Sequence, residues 1–256
     1  MFKPRILTFI LMCAVFSTHT HAIGLEVKVG GYLFPPFVQM RGQEITGLTL
    51  DLIKLLNQEQ SQFQFKFVST SPKRRYRDFK HGMYDVIFFE SKQWGWESAP
   101  LEESEVFLTG GEVFFTLKSD NRTQAYFEDL ESKRLVAILG FHYSFLDNET
   151  NSNILKQHYN IKLMNSPKTV INQVLSNKAD IGIATYSYLQ GQMQHNPHVR
   201  DKIIIHDTFD QTYEHKVLIR KGHPLTPRDI NALLNRLKNN GAMSQLLAKY
   251  GLSQGN

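Results

Sequence analysis

The 256-residue sequence carries one cysteine, 29 lysines and arginines against 24 acidic residues, and a formal net charge of +5. One thiol excludes a disulfide framework, and so mild a charge, with basic residues scattered outside the single cluster PKRRYR, leaves no nucleic-acid footprint. A chain of this length can bury roughly two-thirds or more of its unfolded surface in a core without cross-links.

Residues 1–22 read as an export signal. Lys3 and Arg5 give a positive start, ILTFILMCAVF an apolar run, and THTHA a small-residue end at Ala22. The apolar run is shorter than the ~20 residues a spanning helix needs. Met12 ahead of the lone Cys13 does not suit lipoprotein processing. Residues 23–256 are therefore expected to be soluble, periplasmic and cysteine-free, at a charge of +3 once Lys3 and Arg5 are removed. No later run is long and apolar enough to span a membrane.

The remaining elements follow in chain order. LEVKVGGYLFPPF alternates as a strand and breaks at Gly30-Gly31 into a loop. GLTLDLIKLLNQ sets Leu48, Leu52, Leu55 and Leu56 on one helical face. FQFKFV is a second strand, SPKRRYRDFKHG a short helix stopped at Gly82, and DVIFF a continuous apolar run, as in a buried parallel strand. The order then repeats: strands in GGEVFFTLK, RLVAIL, IKLMN and DIGIAT, with helices in NSNILKQHY, SPKTVINQVLSNKAD and YSYLQGQMQ. KIIIHD and YEHKVLIRKG read as two further strands. Thr226-Pro227 opens the first of two closing helices, with Ile230, Leu233, Leu234 and Leu237 as its stripe. Alternating β and α elements predict two α/β units with mostly parallel sheets.

No phosphate loop, dinucleotide fingerprint, HExxH or nucleophile elbow occurs, so no cofactor is implied. His195 and His198 lie three apart in a polar loop without an acidic or cysteine partner, which reads as solvated loop rather than metal site. Charged and aromatic residues at strand ends remain, where open α/β sheets bind ligands. Tyr32, Phe34 and Phe37 flank Pro35-Pro36; Trp94 and Trp96 flank Gly95; His142 and Tyr143 follow Gly140; Glu90 and Glu97 bracket the tryptophans. Aromatic faces suit flat or cationic ligands, with ordinary packing as the alternative for each. Arg74 and Arg75 open the second helix, where a guanidinium can grip a carboxylate or lie on a solvated face.

In order and spacing, LEVKVGGYLFPPFVQMRGQEITGLTLDLIKLLNQ, FKHGMYDVIFF, FEDLESKRLVAILG, KADIGIAT and VLIRKGHPLTPRDINALLNRLKNNGAMSQLLAKYG resemble the bacterial extracellular solute-binding proteins of family 3. The resemblance runs nearly from end to end of residues 23–256. It implies a type II periplasmic binding fold: lobe one at 23–106 plus 218–256, lobe two at 112–212, hinges at about 107–111 and 213–217, and ligand-driven closure. It also implies a departure. Relatives that bind α-amino acids carry an arginine where this chain has Glu97, a threonine near Trp94, and an aspartate where it has Thr185. A Pro-x-x-Arg helix start of the relatives is matched to Arg74.

The function expected from this is capture of a small polar ligand, amino-acid-like with a cationic or aromatic part, by a monomer serving an ABC permease or a membrane sensor. The ligand set is Tyr32, Phe34, Arg74, Arg75, Glu90, Trp94, Trp96, Glu97, His142, Tyr143 and Thr185. The alternatives are a dehydratase-like enzyme using Glu90 and Glu97, or a binding lobe that acts by contact with a membrane sensor.

Overall fold

The computed structural model describes residues 24–252, so the expected signal at 1–22 lies outside the described residues. Strands β1 (Leu25–Gly31), β4 (Phe63–Ser69) and β5 (Val86–Glu90) form parallel ladders, with β1 in the middle. The pattern behind them is simple. Val27 and Val29 alternate inward at zero exposure, and Phe63 and Phe65 alternate inward, also buried, on β4. Helix α1 (Leu48–Glu59) covers this sheet with Leu48, Leu52 and Leu56, all fully buried. It begins at Gly47, whose φ of 128° and 2.5 Å approach of a would-be Cβ to the Phe37 carbonyl leave room for glycine only.

The second sheet repeats the plan. β8 (Leu135–Ile138) pairs in parallel with β9 (Ile161–Met164) and β10 (Ile181–Thr185). Helices α3 (Ser152–His158) and α4 (Pro167–Leu175) connect them, and α4 buries Val170, Ile171 and Val174. The Ser166 side chain caps its first turn, ahead of Pro167.

Two long strands tie the sheets together, and they are antiparallel. β7 (Leu108–Leu117) lies beside β10, and β11 (Ile203–Arg220) runs along β7 before joining β5 and the short β6 (Leu101–Glu103). The sequence reads β11 as two strands. The structure makes it one 18-residue strand with register shifts around Phe209, because both halves find partners on β7. β11 pairs with β7 as far as His215 and with β5 from Lys216 on. A hairpin of β2 (Gln39–Arg41) and β3 (Glu44–Thr46) turns at Gly42, and β6 joins the edge of the first sheet; neither is marked by a hydrophobic period.

Helix α2 (Arg75–Lys80) is shorter than its sequence suggests, since Pro72 to Arg74 form a turn ahead of it. α5 (Tyr186–His195) and α6 (Pro197–Arg200) follow β10. α7 (Pro227–Asn239) and α8 (Ala242–Lys249) close the first lobe. Thr226 and Asp229 form a reciprocal capping box at the start of α7.

Candidate functional site

The end of β5 carries an irregularity, just before the buried Glu90. Ile87 faces Leu218 and Glu90 faces Lys216, so Phe88 and Phe89 oppose Val217 alone. This is a bulge, and Phe89 takes a left-handed φ of 57°, a conformation costing a non-glycine residue about 1–2 kcal/mol. Strict alternation would send every second side chain to the opposite face. Here all five residues of β5 are buried, Glu90 fully.

Buried Glu90 needs partners, and Arg75 supplies the charge. The Arg75 Nε lies 3.2 Å from Glu90 Oε1, both side chains about 1% exposed. The pair is close but poorly aligned for a hydrogen bond, so the contact is mainly Coulombic. Trp96 donates its indole N–H to the same oxygen at 3.1 Å, and Tyr32 its hydroxyl at 3.5 Å. The remaining guanidinium nitrogens reach the carbonyls of Pro72 (2.6 Å), Trp94 (3.4 Å) and Gly140 (3.5 Å). Tyr32 and Tyr76 hold its faces at 4.9 and 4.4 Å. Burial raises the Glu90 carboxyl above its usual range, opposed by Arg75 and the two donors.

A second acid lies across the lobe junction. Glu112 on β7 stands opposite Thr185 on β10 and Gln211 on β11. Its Oε1 accepts from Thr185 at 2.9 Å and from the Tyr213 hydroxyl at 3.2 Å. Its Oε2 is buried without a partner, as is Oε2 of Glu90. Burial pushes the Glu112 carboxyl up to about 8, with the two donors pulling the other way.

Aromatic rings fill the space between the acids. Tyr213 packs on Trp94 at 4.8 Å, and Phe141, from the loop after β8, packs on Phe34 and Tyr32 at 5.3 and 6.3 Å. His215 sits inside this cluster, 4.7 Å from Phe37, 5.0 Å from Tyr213 and 6.1 Å from Trp94. It is fully buried, and neither ring nitrogen has a hydrogen-bond partner. Burial lowers its pKa to about 3, so it is neutral; the Phe89 carbonyl opposes this weakly, outside hydrogen-bond geometry. The backbone comes close here too. A Cβ on Gly110 would lie 2.5 Å from the Tyr213 ring and 2.9 Å from His215 Nε2.

Of the sequence-predicted residues, the structure brings together Tyr32, Phe34, Arg75, Glu90, Trp94 and Trp96, and adds Thr185 through Glu112. Tyr143 is buried in the second lobe, where its hydroxyl accepts from the Ile138 N–H at 2.9 Å. His142 is half-buried, and burial with Arg75 nearby lowers its pKa to about 4. Two residues stay out. Arg74 is exposed in the turn before α2, and counting three from Pro72 reaches Arg75, so the buried arginine of the Pro-x-x-Arg start is Arg75. Glu97 is exposed and lines a pocket of ≈ 560 Å³ beside the crossing strands, with Lys92, Glu103, Lys216 and Tyr213 of the cluster. Glu112, Phe141, Tyr213 and His215 complete the cluster and were not singled out by the sequence.

The raised Glu112 carboxyl fixes a pH dependence. Between its ordinary value of 4.5 and about 8, the folded chain holds a proton that the unfolded chain has released. The Glu112 contribution to stability therefore falls as pH rises through this window and levels off above it. We expect Glu112→Gln to gain stability relative to the parent chain from pH 5 to pH 8, in urea melts at the two pH values. A constant difference would show that Glu112 is already ionised at neutral pH.

With this geometry in place, a family model for bacterial extracellular solute-binding proteins, family 3, matches residues 27–253. The chain belongs to this family. Its two α/β lobes joined by β7 and β11 are the type II periplasmic binding fold. Solved structures agree with the fold. An ABC uptake transporter substrate-binding protein from Streptococcus pneumoniae with bound histidine superposes at TM-score 0.73 and 17% identity, covering 90% of this chain and 94% of that one. The GluR0 ligand-binding core from Nostoc punctiforme in complex with L-glutamate gives 0.67 at 17%, covering 88% and 98%. An ancestral amino acid-binding protein, a precursor of cyclohexadienyl dehydratase, gives 0.68 at 17%, covering 88% and 95%. No curated protein matches the chain in sequence.

Proposed function

We propose that the chain is an exported, monomeric solute-binding protein that captures a small polar ligand with a cationic or aromatic part between its lobes, without catalysis. One observation carries this reading. Buried polar atoms without partners, on Glu90, Glu112 and His215, border one run of touching rings, Tyr32, Phe34, Trp94 and Tyr213. An unsatisfied buried polar group costs about 1–3 kcal/mol, and a ligand with matching donors offsets that at several points together. Lobe one is taken as 23–106 plus 218–256 and lobe two as 112–212, with hinges near 107–111 and 213–217. Residues 1–22 serve as the signal for delivery to the periplasm. A permease or a membrane sensor then reads the closed form.

The charge pattern favours a cation over an α-carboxylate. The buried guanidinium, Arg75, is already engaged by Glu90 and three carbonyls. The ligands named for the similar structures, glutamate and histidine, both carry an α-carboxylate. This chain offers that group no free arginine among the named cleft residues. Glu90, buried beside Arg75, Trp96 and Tyr32, and Glu97, facing solvent, stand in different settings, which favours binding over the acid–base pair of a dehydratase-like enzyme.

A thermal-shift screen of amines, aromatic amines, amino acids and small peptides tests the reading. A true ligand at a hundred times its Kd adds about 2.7 kcal/mol, and at this chain length raises Tm by roughly 5–10 °C. If nothing shifts the melt, and mass spectrometry of freshly purified protein finds no bound solute, the binding reading fails.

A further inference from the structure

We propose that Glu112 is the acceptor for the ligand's cationic group, and that filling the cleft exchanges its carboxyl proton for that cation. The proposal rests on the ligand-binding reading above.

Geometry comes first. Glu112 is brought to the lobe junction by β7, a strand shared by the two lobes, and is 3% exposed. One oxygen is fully used, by Thr185 from β10 and Tyr213 from β11. The other, Oε2, has no partner in a place closed to bulk water. Tyr213 links this carboxyl to the cleft, because its ring rests on Trp94 of the first lobe. Tyr213, bonded to this carboxyl through its hydroxyl, and Trp94 against it make the approach from the first lobe aromatic, a setting that suits positive charge.

The surrounding charges agree. The groups acting on Glu112 are Thr185 on β10 with Tyr213 and Asp210 on β11, and Tyr143 from the loop after β8 feels its charge in turn. No lysine, arginine or histidine is among them. Asp210 is held by the Ser144 and Phe145 N–H groups at 2.9 Å, and its charge makes ionisation of Glu112 harder. Glu112 thus differs from Glu90, which has Arg75. Without a cation, burial keeps a proton on it up to about pH 8. An arriving ammonium or amidinium donates to Oε2 and stabilises the carboxylate. The carboxyl proton then leaves to solvent, so charge and protons balance.

Linkage sets the sign and size. Well below the carboxyl's pKa, affinity for the cation should rise about tenfold per pH unit, and it should level off above it. A ligand hydroxyl donating to Oε2, or a ligand carbonyl accepting from the protonated acid, would bind with no proton released and no such slope.

Isothermal titration with putrescine, tyramine and L-arginine, from pH 6 to 8.5 in two buffers of different ionisation enthalpy, decides it. The expected result is binding that tightens about tenfold from pH 6 to 7, flattens near pH 8, and releases close to one proton at pH 6.5. Glu112→Gln should lose the slope and the release, and Glu112→Asp should retain both. Retention of the slope in Glu112→Gln, or pH-independent binding by the parent chain, overturns the proposal and leaves the binding reading standing. Binding of neutral or acidic solutes alone does the same. If no solute of any charge binds, both fall.

Discussion

Arg75→Met is expected to destabilise the chain by about 3–5 kcal/mol, because it leaves Glu90 as an unpaired buried carboxylate. For a chain of this size that corresponds to a fall in Tm on the order of 10 °C. The guanidinium is the single countercharge to an acid that is about 1% exposed, and it also holds the carbonyls of Pro72, Gly140 and Trp94. Two controls separate charge from packing. Arg75→Lys keeps the charge but loses the planar fork and the stacking against Tyr32 and Tyr76, so an intermediate loss is expected. Arg75→Met with Glu90→Gln removes both charges and should recover part of the loss. The sign with pH is also fixed. Burial raises the folded-state Glu90 pKa, and losing Arg75 raises it further, so the single variant holds a proton to higher pH. Its deficit should shrink as pH falls toward 4.5, where folded and unfolded chains both carry the proton. Urea melts that show the same deficit at pH 5 and pH 8 would mean that Arg75 acts by packing alone.

Gly110 on β7 lets the site pack against the long strands. It pairs with Tyr213, and its missing side chain is what lets Tyr213 and His215 lie against the backbone. The cleft-facing phase of β11 is Tyr213, His215 and Val217, all buried, while Thr212 and Glu214 are exposed. The lobes therefore meet on the same strand residues that carry the chain between them. Phe141 closes the far side against Tyr32 and Phe34. On the proposed reading, closure and ligand contact would share side chains, and a ligand that orders Tyr213 or Phe141 would bias the lobe angle directly.

The sequence shows the α/β order plainly, because Val27/Val29 and Leu48/Leu52/Leu56 repeat at the periods of strand and helix. Tyr32, Phe34, Arg75, Glu90 and the two tryptophans are legible because they stand at strand or helix ends. Glu112 was legible in principle: GGEVFF sets one charge in an apolar strand, just after a glycine pair. It does not stand out because it lies within a strand, where a charge reads as solvent-facing. His215 falls in phase with Val217 and Ile219, so alternation alone places it inward. The length of β11 was hidden, since the polar stretch HDTFDQT looks like a turn while its backbone pairs with β7. The bulge at Phe88-Phe89 leaves no sequence mark, and Glu90 lies just past it on a strand buried on both faces.

The two tryptophans, alike in the sequence, are expected to part company on mutation. Trp96 is 1% exposed, packs on Phe79 at 5.4 Å and Tyr76 at 4.8 Å, and donates to Glu90. Trp96→Ala should lose about 3–5 kcal/mol, as for other buried aromatics truncated to alanine. Trp96→Phe keeps much of the ring packing and removes the N–H, and a lost hydrogen bond to a charged group is worth about 1.5–3 kcal/mol. Its deficit isolates the bond to Glu90. Trp94 instead touches Phe34, Tyr213 and His215, the rings of the lobe junction. Its backbone carbonyl, which takes the Tyr76 hydroxyl at 2.6 Å, survives any side-chain change. Trp94→Ala should therefore weaken ligand binding more than stability, and Trp96→Ala the reverse. Paired melts and titrations on the two variants measure this, and equal behaviour in both assays would place both indoles in the core as packing alone. The distinction follows from their partners: Trp96 holds a buried acceptor, Glu90, while Trp94 stands among the rings of the lobe junction.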